Sequence, residues 1–201
     1  MQMQSAIGAL LRGSTGRTLP CLTRMRPALR LARVLLAVIS AGICCSVASE
    51  VNEMTEYQLK AAYLVNFVSF TEWPAGLGDS LNLCIYGPDP FGIDIDSFEG
   101  QNINNRRVEI SRLTTAEQLD ACNIVFISDE VISNMRRVLD RTENKPVLTV
   151  SDSPGAAAAG VSLNMIMDQN RITFEVNLAA INRSNLAISF QLLRLAKKVY
   201  K

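Results

Sequence analysis

The chain has 201 residues, 48% of them hydrophobic and 19% charged, a length that suits one domain with an appended segment. Its formal net charge of +1 hides an asymmetry: six of the 20 basic residues precede Glu50 and none of the 19 acidic ones does, so residues 50–201 carry −5. That balance argues against a nucleic-acid-binding surface, which needs clustered Lys and Arg. The absence of any histidine removes the commonest general base and metal ligand.

Residues 1–33 contain Arg12, Arg17, Arg24, Arg26, Arg30 and Arg33 and no acid; an apolar run follows at 34–47, with small residues at Ser46, Ala48 and Ser49. This is the three-part pattern of a secretory signal peptide, so residues 1–49 are expected to be removed and residues 50–201 to form an exported domain. The run is short of the ~20 residues a membrane span needs, and no stable membrane insertion is expected. A start at Met25 gives a leader of more ordinary length, and Ile43 before Cys44 is a poor fit to a lipidation signal. Cys21, Cys44 and Cys45 fall in this leader, which leaves Cys84 and Cys122. In an exported protein such a pair reads as a disulfide. Two buried thiols are the alternative, because both sit in apolar, strand-like sequence.

Residues 57–74 open the domain. Leu59, Tyr63, Phe67 and Phe70 recur at helical spacing with Ala62 and Asn66 on the same face, and Leu64 and Val68 form a second stripe beside them. Pro74 ends the helix at or before Trp73. Residues 50–57 read as a polar lead-in, 76–79 as a turn and 81–86 as a buried strand closed by Gly87, Pro88 and Pro90. A short helix is expected within 91–98 and an alternating strand at 107–113. Thr114 and Glu117 fit a capping box that starts a short helix. Residues 123–127 form a continuous apolar run of central-strand type, followed by a helix over 130–141, a strand over 146–150 and one helical turn in 156–160. Residues 163–167 and 171–176 are strands joined by 168–170, a hairpin, and helices are expected over 178–181 and 188–200. The alternation of strand and helix predicts a single α/β domain, with a mostly parallel sheet flanked by helices and a C-terminal antiparallel hairpin.

Few residues suggest chemistry. Gly76 and Gly78 follow a helix and precede a strand, the wrong order for a dinucleotide turn. Ser151, Asp152 and Ser153 lie at a strand end where α/β folds place ligands, yet no histidine is present to activate a serine. Asp94 and Asp96 are spaced as a carboxylate pair or as loop residues. Ile172, Phe174 and Val176 alternate with Thr173, Glu175 and Asn177, which gives one strand a polar face. Glu175 and Asn177 on it form either a solvated edge or a polar floor for a ligand or for a partner's main-chain donors. Neither an enzyme nor a cofactor is expected.

The order of these segments carries a resemblance. Residues 57–67 and 70–74, ending in Thr71, Glu72, Trp73 and Pro74, resemble the opening signature of the YfiR family of exported regulators. Residues 83–92, 122–127, 146–155, Asn164, 172–178 and 192–196 continue the likeness in order, so it spans about residues 56–200. The resemblance implies a periplasmic protein that binds the periplasmic sensor domain of an inner-membrane diguanylate cyclase and holds it inactive. Release then raises cyclic di-GMP and favours biofilm. A homodimer is left open, and a periplasmic small-molecule sensor that does not inhibit a cyclase is the alternative function. Cys84 and Cys122 match a family cysteine pair. Some members carry further cysteines near the segment that here is Ala156, Ala157, Ala158 and Ala159.

Overall fold

The computed structural model describes residues 54–201, so the leader expected at 1–49 lies outside the described residues. Helix α1 (Glu56–Ser69) starts at Thr55, inside the stretch that reads as a lead-in. The Thr55 hydroxyl accepts from the Gln58 N–H at 3.2 Å, and the Gln58 side chain accepts from the Thr55 N–H at 2.9 Å. This reciprocal box satisfies two main-chain donors that a helix start leaves free. The buried face of α1 is Lys60, Ala61, Leu64, Phe67 and Val68. It is centred on the second stripe, with Leu59, Tyr63 and Phe70 partly buried beside it and Asn66 in solvent. The seam takes Phe67 from the first stripe together with Leu64 and Val68 from the second, and Phe67 packs edge-on against Phe174, with ring centroids 5.1 Å apart.

After α1 come β1 (Thr71–Glu72), β2 (Ser80–Tyr86), α2 (Ile93–Asp96), β3 (Asn102–Ile103) and β4 (Arg106–Leu113). A 3-10 segment (Ala116–Ala121) leads to β5 (Ile124–Ile127), and a second one (Asp129–Asn134) runs into α3 (Met135–Thr142). The chain closes with β6 (Leu148–Ser151), β7 (Leu163–Asp168), β8 (Arg171–Asn177), α4 (Leu178–Arg183), β9 (Ala187–Ile188), α5 (Phe190–Leu195) and β10 (Lys198–Tyr200).

Eight strands form one sheet in the order β10-β8-β7-β6-β5-β2-β4-β3, and β1 pairs separately with β9. The run β4-β2-β5-β6-β7 is parallel throughout, β7 and β8 form the antiparallel hairpin, and β3 adds an antiparallel edge. The fold is therefore the mostly parallel α/β domain that the alternation predicts. The hairpin turns on Gln169 and Asn170, both at positive φ (47° and 58°), the pattern of a two-residue turn whose twist matches its strands. Alternate residues of each strand feed two cores. Leu83, Ile85, Ile124, Phe126, Val150 and Leu163 meet α1 on one face; Cys84, Cys122, Val125, Ile127, Val138 and Val161 pack on the other.

Several local expectations change. The helix expected over 188–200 is β9, α5 and β10. Ser189 caps α5 by accepting from the Leu192 N–H, Ala196 leaves the helix at ψ 135°, and the Lys197 N–H donates to the Phe174 carbonyl at 2.8 Å. Lys198, Val199 and Tyr200 then pair in parallel with Glu175, Val176 and Asn177. That pairing makes β8 an interior strand rather than an edge. The box expected at Thr114 and Glu117 sits one residue later, at Thr115 and Gln118, and opens a 3-10 segment. The helix expected over 130–141 is broken near Val131 (φ −112°, ψ 19°), and residues 154–160 are turns.

Candidate functional site

Cys84 sits in β2 and Cys122 ends the 3-10 segment just before β5, the strand paired alongside β2. Their Cα atoms are 5.9 Å apart and the two sulfurs are bonded. The distance is within the range a disulfide requires. Both residues are buried in the second core, so the bond joins neighbouring parallel strands away from solvent.

The polar face of β8 lies between two strands. Glu175 is in register with Asn164 of β7 on one side and Lys198 of β10 on the other. Its half-buried carboxylate accepts from the Tyr200 hydroxyl at 3.3 Å, and the Lys198 ammonium stands 4.4 Å from the centroid of the Tyr200 ring. Asn177 is used differently: its amide donates to the Ala157 carbonyl at 2.7 Å and accepts from the Ala180 N–H at 2.9 Å, which caps α4. Of the two residues singled out from sequence, Glu175 borders the open part of the face and Asn177 is tied into the fold. Next to Glu175, Asn164 is fully buried with neither end of its amide partnered, and the Thr173 hydroxyl is buried and unpartnered as well. Unpaired buried amides are rare in folded proteins.

At the carboxyl ends of the parallel strands, the usual ligand crevice of an α/β sheet is filled. Gly87, which follows β2, has φ 98°, and Val131 lies so near that a Cβ there would meet its Cγ2 at 2.5 Å. Ser153 donates to Asp129 at 2.7 Å, and Arg112 ties Asp89 to Asp96. Asp94 takes Gln58 instead, so Asp94 and Asp96 do not form a carboxylate pair.

Beyond this closed crevice, Asp152 meets α1. The Lys60 ammonium lies 2.6 Å from Asp152 and 2.6 Å from Glu56, with the Lys60 and Asp152 side chains only 6% and 4% exposed. The Tyr57 hydroxyl donates to the same Asp152 oxygen at 3.2 Å, and the other Asp152 oxygen is buried without a partner. Burial pulls the Lys60 pKa down, but its hydrogen bonds to Asp152 and Glu56 outweigh that and hold it above the ordinary value. Tyr57 is also raised, first by burial and then by the Asp152 charge. Asp152 was visible in sequence as a strand-end acid. Its lysine partner was not, because a lone lysine in an apolar helix reads as a solvent-facing residue.

Among the described residues no cluster of acids and cysteines is suited to hold a metal ion. No helix among them is long and apolar enough to cross a membrane. The described residues form an α/β domain with a core disulfide and a polar strip along β8 and β10. A family model described as YfiR/HmsC-like matches residues 57–197, and the chain belongs to that family. The family is one of periplasmic regulators of cyclic di-GMP signalling rather than of enzymes, and it implies a partner within that pathway.

Proposed function

We propose that this protein is exported by the leader at 1–49 and acts in the periplasm as an inhibitor. It binds the periplasmic sensor domain of an inner-membrane diguanylate cyclase and keeps the enzyme inactive. The observation that supports the reading is the extent of the family match, which runs over residues 57–197 and so includes every strand from β1 to β9. The contact surface in this proposal is the strip of β8 and β10 around Glu175, Lys198 and Tyr200. Tyr200 supplies a partly exposed aromatic ring, a type enriched at interfaces, and Glu175 and Lys198 supply the polar surround that an interface rim carries.

Deletion of the coding region for residues 50–201 is expected to raise cellular cyclic di-GMP when the cyclase gene is present and to have no effect when it is absent. An unchanged level in the deletion strain, with the cyclase shown to be expressed, overturns the inhibitor assignment. For export, the intact mass of periplasmic protein is expected to lack residues 1–49; a mass retaining 34–47 contradicts it.

A further inference from the structure

Helix α5 is six residues long, and its place in the fold fixes which way it faces. Ser189 caps its start, Leu192 is buried in the core under α1, and β10 ties its far end to β8. At about 100° per residue, Phe190, Arg194, Gln191 and Leu195 fall in that order across one outward face of roughly 140°. All four are exposed. Phe190 is 72% and Leu195 70% exposed, two of the five large hydrophobic side chains that stand in solvent among the described residues. Single exposed apolar side chains need no explanation, but a pair at the two ends of one short helix face, with an arginine between them, does.

The charge of the chain changes sign at the same place. Residues 176–201 contain Arg183, Arg194, Lys197, Lys198 and Lys201 and no acid, whereas residues 50–175 carry nine basic and 19 acidic side chains, a net of −10. Just past α5, Lys197 neutralises Asp168 at 2.7 Å, beside the exposed Met167. Arg194 makes no ion pair among the described residues. Glu72, in register with Ala187, lies on the β9 side of the helix, so the positive charge is concentrated toward Arg194 and the chain end. Protruding apolar side chains parted by a cation do not make the fully desolvated centre that a protein interface needs. They do suit a bilayer surface, where Phe and Leu enter the boundary between headgroups and acyl chains and Arg and Lys keep their charge at anionic headgroups.

We propose that α5 and the basic chain end dock this domain on an anionic phospholipid surface, with Phe190 and Leu195 entering the headgroup region and Arg194 and Lys201 lying against lipid phosphates. The contact is peripheral and crosses no bilayer. Leu192 places α5 on the α1 side of the sheet, whereas Glu175 alternates with Phe174 and Val176 of that core and so faces the opposite side. Docking therefore leaves the β8 strip uncovered. The inference does not rest on cyclase inhibition, and its test needs no cyclase.

The test is co-sedimentation of the purified protein with vesicles of phosphatidylglycerol and phosphatidylethanolamine, against vesicles of phosphatidylcholine alone. Binding to the anionic vesicles is expected at about 0.1 M salt and is expected to be largely lost at about 1 M, where the screening length falls from roughly 10 to 3 Å. Phe190→Ser/Leu195→Ser is expected to lower the partition coefficient by roughly tenfold or more, and Arg194→Glu by about fivefold or more. Ile93→Ser is the control: Ile93 is 83% exposed, but it lies on α2, whose Asp94 is held by Gln58 at the other end of α1. It is expected to leave binding unchanged. Thermal melts of the variants are expected to match the parent, because every substituted side chain stands in solvent. Absence of binding to the anionic vesicles overturns the proposal, as do equal binding to phosphatidylcholine and binding that survives the Phe190→Ser/Leu195→Ser change. A lipid-free dimer in sedimentation equilibrium that the same double change dissociates overturns it in favour of a second copy as the occupant of this face.

Discussion

Lys60 and Asp152 stand 92 residues apart in the chain and meet at 2.6 Å, so that one ion pair fastens the opening helix to the end of β6. Because both side chains are almost wholly buried, the pair is more consequential to break than to replace. Removing one partner of a buried pair typically costs about 3–5 kcal/mol, through the charge left behind, whereas an apolar replacement of both is often neutral. Lys60→Met is expected to reach that range, since it leaves Asp152 with only the Tyr57 hydroxyl. Asp152→Ala is expected to cost less, because Lys60 keeps Glu56. Urea denaturation of both variants and of the Lys60→Met/Asp152→Leu double variant checks this; a double variant less stable than either single one contradicts it.

The same group sets a dependence on pH. The folded-state pKa of Lys60 is raised, so its contribution is complete below the ordinary lysine value of about 10.4 and is lost as pH climbs through the higher folded value. Tyr57 is raised too, and works in the same direction above about 10. The stability gap between the parent and Lys60→Met is therefore expected to be constant from neutral pH to about 9 and to narrow beyond 10.4. Denaturation curves across that range are the measurement, and a gap that widens with pH would falsify the linkage.

The disulfide spans a sequence separation of 38, for which the chain-entropy relation gives about 4 kcal/mol of stabilisation, an upper figure. Reduction, or the pair Cys84→Ala/Cys122→Ala, is expected to lower the unfolding midpoint without abolishing the fold, because the two apolar cores do not depend on the bond. In the cell, Cys84→Ala is expected to raise cyclic di-GMP less than full deletion does. Two titratable thiols in oxidised, denatured protein purified from the periplasm contradict the bond.

Glu175 and Asn177 separate binding from folding. Glu175→Lys removes one acceptor for Tyr200, and is expected to weaken repression while changing stability by less than about 1 kcal/mol. Asn177→Ala removes a helix cap and a bond to the Ala157 carbonyl, and is expected to cost about 1–2 kcal/mol. Paired measurement of cyclic di-GMP and of urea midpoints distinguishes them. A Glu175→Lys protein that represses fully argues against this face as the contact.

The core strands were legible because their residues carry their own period: 123–127 is apolar throughout, and 171–177 alternates. β10 was not. Leu192, Leu193, Leu195 and Ala196 continue a helical pattern toward Tyr200, and what stops it is the bond from the Lys197 N–H to the Phe174 carbonyl, a tertiary contact. The candidate site divides the same way. Alternation exposes Glu175 as polar on a strand of apolar neighbours, but only the register with β7 and β10 tells which polar residues remain open. Asn177 is claimed by the local cap of α4 and by the Ala157 carbonyl, and Lys60 by Asp152; the Ala157 and Asp152 contacts join residues distant in sequence.

β10 is three residues long, yet it shields one side of β8 along Glu175, Val176 and Asn177. A chain cut before Lys198, or a tag that pulls those residues away, turns an interior strand into a bare template of main-chain donors and acceptors. Such rows recruit other chains edge to edge. Self-association is thus the expected hazard of modifying this end, and a fusion partner placed ahead of the domain avoids it.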